Sequence, residues 1–139
     1  MNDNRWDETW HRLREWTNGQ ARSERLAAQI LIHEGYTGLD PSHPLGGKDC
    51  KKDALCKKDS QTWVMAVYFP RGQKSFTEIR RKFLNDLIGV KADQADGLAF
   101  VTNQELSLSE RKELKSIQDT AIDLFHLERI TAILDNPKS

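Results

Sequence analysis

The sequence predicts a single α/β domain over residues 1–139, with a mixed central sheet covered by helices on both faces. Three observations lead there. The run Trp63–Phe69 is apolar at every position, as expected of a central strand buried on both sides. Strand and helix patterns alternate after it, which is typical of helices packed on a sheet. A chain of 139 residues is long enough for one such core.

The first predicted element is a helix from Asp3 to Trp16, rich in tryptophan. Trp6, Trp10 and Leu13 recur at helical spacing, and Trp16 lies close to that stripe. We therefore divide the domain into an N-terminal helix over 1–18 and a core over 20–135. Packing of the three tryptophans on the domain's own core is one interpretation. A homodimer or partner-domain surface is the alternative, because tryptophan is favoured at contact hot spots.

The middle of the chain predicts a second helix and a strand pair. The helix should run from about Ala21 to His33, with Gly35 ending it. A long connection follows, which includes a short strand near Tyr36–Asp40. Residues 52–58 and 62–69 then form an antiparallel pair joined at 59–61.

The second half predicts alternating helices and strands. Ser75 and Ser107 each precede a glutamate by three residues, the spacing of a helix-starting capping box. Short strands are predicted at 97–102 and 121–127, and a last helix at 128–134. His126, within an apolar run, is interpreted as a hydrogen-bonded packing residue.

Charge is distributed unevenly along a chain with no net charge. Residues 48–82 carry a net charge of +6, whereas 1–47 carry −2 and 83–139 carry −4. A basic segment predicts contact with DNA or RNA phosphates, and a solvated lysine-rich surface is the alternative. The candidate nucleic-acid-binding residues are Lys51, Lys57, Lys58, Arg71, Lys74, Arg80 and Arg81.

Composition indicates a cytoplasmic protein without a membrane anchor. No apolar run approaches the length that spans a bilayer, and the first residues lack the apolar core of a signal peptide. Cys50 and Cys56 are then expected to be reduced thiols. With His43 they fall short of four zinc ligands at the usual spacing.

The glycine-marked turn from Gly46 to Asp53 is the most informative motif. It presents Asp49 and Asp53 just before the predicted strand pair, with Lys51 and Lys52 between them. Carboxylates that hold Mg²⁺, together with a nearby lysine, are what metal-dependent phosphodiester hydrolysis requires.

Four stretches give the chain a resemblance to restriction-endonuclease-like (PD-(D/E)xK) domains, and most to the Mrr type IV restriction endonuclease group. They are the helix from Glu24 to Tyr36, the turn at 46–53, the strand 97–103 that ends in Thr-Asn, and the closing segment 122–130. In the turn, two lysines replace the family's usual glycines before Asp53. The resemblance implies a bacterial defence or mobile-element context, and positions equivalent to the family's acidic residues at Asp53, Asp49 and Glu24.

One half of the family's motif is absent. Its acid-or-Gln-x-Lys follows the aspartate by about thirteen residues, which in this chain falls on Ala66 and Tyr68. Two hypotheses follow from this departure. In the first, the chain is a divergent nuclease in which Asp53 and Asp49 bind Mg²⁺, with Glu24 and Lys52 completing the catalytic set. In the second, it is a catalytically inactive module for nucleic-acid binding, sensing or protein assembly, with no cofactor.

Overall fold

The computed structural model describes residues 2–39 and 54–135, and these form a four-stranded sheet with five helices. The α/β fold class predicted from the sequence is confirmed. In chain order the elements are α1 (Asn2–Arg14), α2 (Gly19–His33), β1 (Ala54–Lys58), β2 (Gln61–Tyr68), α3 (Phe76–Ala92), β3 (Gly97–Thr102), α4 (Leu108–Ser116), β4 (Ala121–Phe125) and α5 (Leu127–Asp135).

The sheet is mixed, with strand order β1-β2-β3-β4. β1 and β2 are antiparallel, whereas β2, β3 and β4 are parallel. Asp59 and Ser60 form the tight connection between β1 and β2, both with positive φ, as a two-residue hairpin turn requires. The strand predicted near Tyr36–Asp40 is reduced to one bridge between Thr37 and Lys57, and Asp40 lies outside the described residues.

Each face of the sheet has its own apolar core. Met65 and Val67 of β2 face a cluster with α1, α2 and α5, which we call the α2 face. Val64 and Ala66 face a second cluster with α3 and α4, which we call the α3 face. This alternation follows from the two-residue period of a strand, and it confirms β2 as a strand with helices on both sides.

Close contact between strands explains Gly97, the first residue of β3. A Cβ at this position would lie 2.7 Å from the Trp63 ring and 2.9 Å from the carbonyl oxygen of Ala121. Both neighbours are fixed in adjacent strands, so only glycine fits without displacing the sheet.

The tryptophans of the N-terminal segment pack on this chain's own core where their side chains are described. Trp10 and Trp16 are partly buried against the α2-face cluster, and the Trp16 ring meets Phe69 edge to face at 5.1 Å. Trp10 Nε1 donates to Glu105, and Trp16 Nε1 donates to the Gly19 carbonyl. The interpretation as core tryptophans holds for these two. Nothing in their placement supports a dimer surface, and the Trp6 side chain lies outside the description.

Helices α3 and α4 begin directly after the capping residues predicted from the sequence, Ser75 and Ser107. Ser107 and Glu110 form a reciprocal capping box at α4. At α3 the Ser75 hydroxyl accepts from the Glu78 backbone N–H. Boundaries differ slightly: α1 ends at Arg14, before Trp16, and β4 ends at Phe125, two residues earlier than predicted.

Two buried amides fasten the end of β3 to the rest of the fold. Asn103 Nδ2 donates to the carbonyl oxygens of Leu13 and Pro70, both at 2.7 Å. Gln104 Nε2 donates to the Gly72 carbonyl at 3.0 Å and to Asn103 Oδ1 at 2.8 Å. The end of α1 and the segment after β2 are thus held by side chains of one dipeptide. The sequence resemblance marked Asn103 as a strand-end residue but did not show these partners.

We predict that Asn103→Leu lowers the free energy of unfolding by about 2–4 kcal/mol, because two buried carbonyl groups lose their donor. Urea denaturation followed by tryptophan fluorescence measures the change. Asn85→Leu, on the exposed side of α3, is the matched control and should change stability by less than about 0.5 kcal/mol. Equal losses in the two variants would contradict the role assigned to the buried amide.

Candidate functional site

The strand positions that should carry the second half of the nuclease motif lie on the α3 face of β2. Ala66 is 7 % exposed, and Tyr68, two residues further along the strand and on the same face, is partly buried. Burial and the Glu78 carboxylate both raise the pKa of Tyr68, so its phenol is neutral at pH 7. A methyl group and a neutral phenol supply neither a metal-binding carboxylate nor a cation at these positions.

The predicted catalytic and metal-binding residues fall into two groups, those outside the described residues and Glu24. Asp49, Asp53, Lys51 and Lys52 lie outside the described residues, and so do Cys50 and His43. Glu24 lies on α2, where its carboxylate accepts a hydrogen bond from Gln20 Nε2 at 2.8 Å. Because α2 covers the face opposite to Ala66 and Tyr68, no described contact joins Glu24 to those two positions. The catalytic set therefore stays a prediction.

Metal ligands do not cluster within the described part of the chain. No three His, Cys, Asp or Glu side chains among residues 7–39 and 54–135, whose side chains the structure describes, could hold a metal ion together. Cys56 is a free, buried thiol, and burial raises its pKa to about 12. The described residues alone do not fit Mg²⁺, and the predicted ligands Asp49 and Asp53 lie outside them, so the metal site stays a prediction.

One side of α3 places charged residues on the same face as Tyr68. Glu78, Lys82 and Asp86 follow each other at four-residue spacing, which aligns them along one side of the helix. Lys82 Nζ and Asp86 Oδ1 form an ion pair at 2.8 Å, in which the Asp86 side chain is only 11 % exposed. Burial, the larger effect, raises the pKa of Asp86, while Lys82 lowers it. From the sequence, Glu78 is interpreted only as the glutamate of the predicted capping box at Ser75, and Asp86 is given no role. The eight-residue separation of the two carboxylates, two helical steps of four, is visible in the sequence.

The candidate phosphate-binding residues do not form one surface. Lys57 and Lys58 end β1, next to Gln61, whereas Arg71 and Lys74 follow the far end of β2. An eight-residue strand spans about 23 Å, so these two pairs lie at opposite ends of the sheet. The described members of the candidate set are therefore divided between the two ends, and their role in binding nucleic acid stays a prediction.

Contacts with other side chains engage several of these cations. Lys58 Nζ lies 4.8 Å from the centre of the Tyr36 ring, and Arg80 pairs with Glu113 at 3.0 Å. Arg71 has a longer pair with Glu15, at 3.7 Å, and remains exposed. Arg81 is exposed as well, and Lys74 is partly exposed beside Arg71. Arg71 and Lys74 both follow the carboxyl end of β2, where Tyr68 is the last strand residue.

A polar network on the α2 face connects two of the stretches that carried the sequence resemblance, the helix from Glu24 to Tyr36 and the closing segment 122–130. Tyr36 Oη donates to Asp123 Oδ2 at 2.5 Å, and Arg129 Nη1 donates to Asp123 Oδ1 at 2.8 Å. Arg129 also stacks on Phe125 at 3.8 Å and reaches the Glu34 carboxylate at 3.9 Å. Burial and the charge of Asp123 raise the pKa of Tyr36. The network fixes the exit of α2 to β4 and α5, so these residues support the fold.

His126 differs from its predicted role. Its side chain is 7 % exposed just beyond β4, which confirms packing, but neither ring nitrogen has a hydrogen-bond partner within the described structure. Burial lowers the pKa of His126 to about 4, with further lowering by Arg111, Arg129 and Lys115 and an opposing effect of Glu128. The imidazole is therefore neutral at pH 7, and the expected hydrogen bond is not found among the described residues.

Comparison with known proteins supports the fold at low sequence identity. The structure is similar to the DNA modification-dependent restriction endonuclease AspBHI, with a TM-score of 0.58 and 12 % identity. The match covers 96 % of this chain and 35 % of that one, so the chain spans about a third of its neighbour's length. No family model and no curated protein matches the sequence.

The class defined by these observations is a mixed α/β domain of restriction-endonuclease-like fold. Identity this low establishes the fold and leaves activity to be argued from the site. Among the helices described, none has the length and apolar character needed to cross a membrane.

We predict that acidification destabilises the protein through His126. An unfolded histidine titrates near pH 6.5 and the folded one at about 4, so the unfolded state alone takes up a proton between these values. Stability should therefore fall as the pH drops from about 6.5 to 4, with a loss of about 1–2 kcal/mol at pH 5.

Urea denaturation at pH 7 and pH 5 measures this loss. The variant His126→Phe keeps the volume of the ring and removes its titration, so it should lose less stability than the parent over the same interval. Parallel pH profiles for parent and variant would contradict the assignment to His126.

Proposed function

We propose that this chain is a nucleic-acid-associated domain of restriction-endonuclease-like fold that binds DNA or RNA without the strand-borne catalytic pair. The observation that carries the proposal is the placement of Ala66 and Tyr68 on the α3 face of β2, where they contribute no ligand and no cation. AspBHI, whose name describes an endonuclease dependent on DNA modification, supports DNA as the polymer. The resemblance to Mrr-like domains adds a bacterial defence or mobile-element context in the cytoplasm.

Phosphate contacts at the carboxyl end of β2 would provide the affinity. Arg71 is exposed there and Lys74 lies three residues on, and the basic turn with Lys51 and Lys52 precedes the strand paired with β2. Since positive charge in this protein is local, binding should be weak and strongly dependent on salt.

A divergent metal-dependent nuclease is the second candidate, and the charged side of α3 favours it. Glu78, Lys82 and Asp86 bring two carboxylates and an ammonium to the face that Tyr68 occupies. Hydrolysis would need Asp53 and Asp49 as Mg²⁺ ligands, with Glu24 and Lys52 as the remaining predicted members. Mg²⁺ would supply Lewis-acid activation of the phosphodiester if bound.

We predict that replacing both Arg71 and Lys74 with alanine weakens binding to a labelled 20-base-pair duplex about tenfold at low salt. Each lost phosphate contact should also reduce the slope of log affinity against log salt by about one. Fluorescence anisotropy measures both, with single-stranded DNA and RNA of equal length as further ligands. The control replaces Lys91 and Lys112, which are exposed on α3 and α4. Absence of binding to all three polymers would overturn the proposal.

Cleavage assays with Mg²⁺ or Mn²⁺ separate the two candidates. If the nuclease hypothesis holds, purified protein cuts DNA or RNA and Asp53→Ala abolishes the cutting, whereas Asp93→Ala, at an exposed position after α3, leaves it unchanged. Intact substrates under conditions that still show binding would reject the nuclease and retain the binding module. Cutting that survives Asp53→Ala would reject the assigned site.

A further inference from the structure

The carboxyl end of β4 carries a buried polar side chain that the proposed function does not use. His126 follows Phe125 directly, and the alternation along β4 places it with Leu124 on the α3 face. Its side chain is more than nine-tenths buried, and both ring nitrogens lack a hydrogen-bond partner among the described residues. A buried polar group without a partner lowers the stability of the folded state by about 1–3 kcal/mol, so a ligand that bonds to the imidazole would be stabilising.

A second unpartnered donor lies on the helix that covers His126. Arg111 Nε, on α4, is buried and has no hydrogen-bond partner among the described residues. Lys115 is one helical turn further along α4, exposed on the same side of the helix as Arg111. One helix therefore aligns two cationic donors beside the end of β4.

The charges around His126 select for an anion. Arg111 and Lys115 from α4 and Arg129 from α5 all act on the imidazole, and each disfavours its protonated form. The single opposing group is Glu128, whose Oε1 lies 3.9 Å from His126 Nε2 and whose side chain is 64 % exposed. Arg129 is already paired with Asp123 at 2.8 Å, which leaves Arg111 and Lys115 against one solvated carboxylate, and this balance favours a negatively charged ligand over a metal cation.

We propose that His126, Arg111 and Lys115 bind a phosphate group at the carboxyl end of β4. Phosphate offers several acceptor oxygens, which matches one imidazole N–H, the Arg111 guanidinium and the Lys115 ammonium. The phosphate is either a free anion or part of a nucleic-acid backbone, and the site requires no hydrolysis at the Asp53 turn.

The first experiment follows the His126 ring by NMR in the full chain, in inorganic phosphate and in chloride at equal ionic strength. Bound phosphate favours the imidazolium, so it should raise the pKa of His126 by about one unit or more. A parallel titration with a 20-base-pair duplex distinguishes the sources of the phosphate. A shift with the duplex alone assigns the site to a nucleic-acid backbone, and a shift with phosphate assigns it to the free anion. An unchanged pKa in both would overturn the proposal.

Variants of the surrounding charges test the site by calorimetric titration with whichever probe shifts His126. Arg111→Met should weaken binding about tenfold, because one charge-assisted hydrogen bond is lost, whereas Lys112→Met, its exposed neighbour on α4, should change it less than about twofold. Glu128→Gln should strengthen binding roughly two- to fivefold by removing the competing carboxylate. Equal effects of Arg111→Met and Lys112→Met would overturn the assignment. Neither variant alters Arg71 or Lys74, so this result leaves the test of the proposed function unaffected.

Discussion

The amide pair Asn103–Gln104 is the constraint on which the arrangement of the carboxyl edge of the sheet depends. Its two NH₂ groups serve carbonyls from α1 and from the segment after β2, and Gln104 Oε1 accepts the Lys74 backbone N–H at 2.6 Å. Two chain segments that are distant in sequence are therefore fixed by one dipeptide. Inside the protein each of these bonds is worth more than at the surface, because no water can replace a lost donor. This network therefore fixes the main chain on which Arg71 and Lys74 lie.

Most of the fold could be predicted from the sequence because its signals are local. The apolar run of β2, the caps at Ser75 and Ser107 and the all-buried β3 reflect periodicity or adjacent residues, and the structure confirms them. Contacts between distant residues gave no such signal. The hydrogen bond of Tyr36 to Asp123 joins positions 87 residues apart, and the separation of Lys58 from Arg71 follows from antiparallel pairing. Summing charge along the sequence could not reveal that separation. Periodicity could not show that the His126 ring has no hydrogen-bond partner among the described residues.

Residues that carried the resemblance to restriction endonucleases have structural roles in this domain that do not depend on catalysis. Tyr36, Asp123 and Arg129 form a partly buried network that holds α2, β4 and α5 together, and Asn103 anchors α1. These roles persist whether or not a phosphodiester is cleaved, since they act on packing and hydrogen bonding. Ala66 and Tyr68 change the chemistry of β2 while preserving its burial. A domain can therefore keep this scaffold whether or not its strands carry catalytic groups.

The ends of the three parallel strands differ in their capacity to bind a ligand. At β3 the side-chain amides of Asn103 and Gln104 are engaged by the protein's own main chain. At β2 the exposed Arg71 lies next to Lys74, and at β4 the His126 nitrogens and Arg111 Nε have no partner within the described chain. β2 and β4 flank β3, so their ends lie about 10 Å apart. Consecutive phosphates of one nucleic-acid strand are closer than this. A backbone that reached both ends would therefore also pass over the end of β3, where the amides of Asn103 and Gln104 are already hydrogen-bonded. Binding at the two ends is therefore separable, and a ligand as small as inorganic phosphate can occupy only one of them.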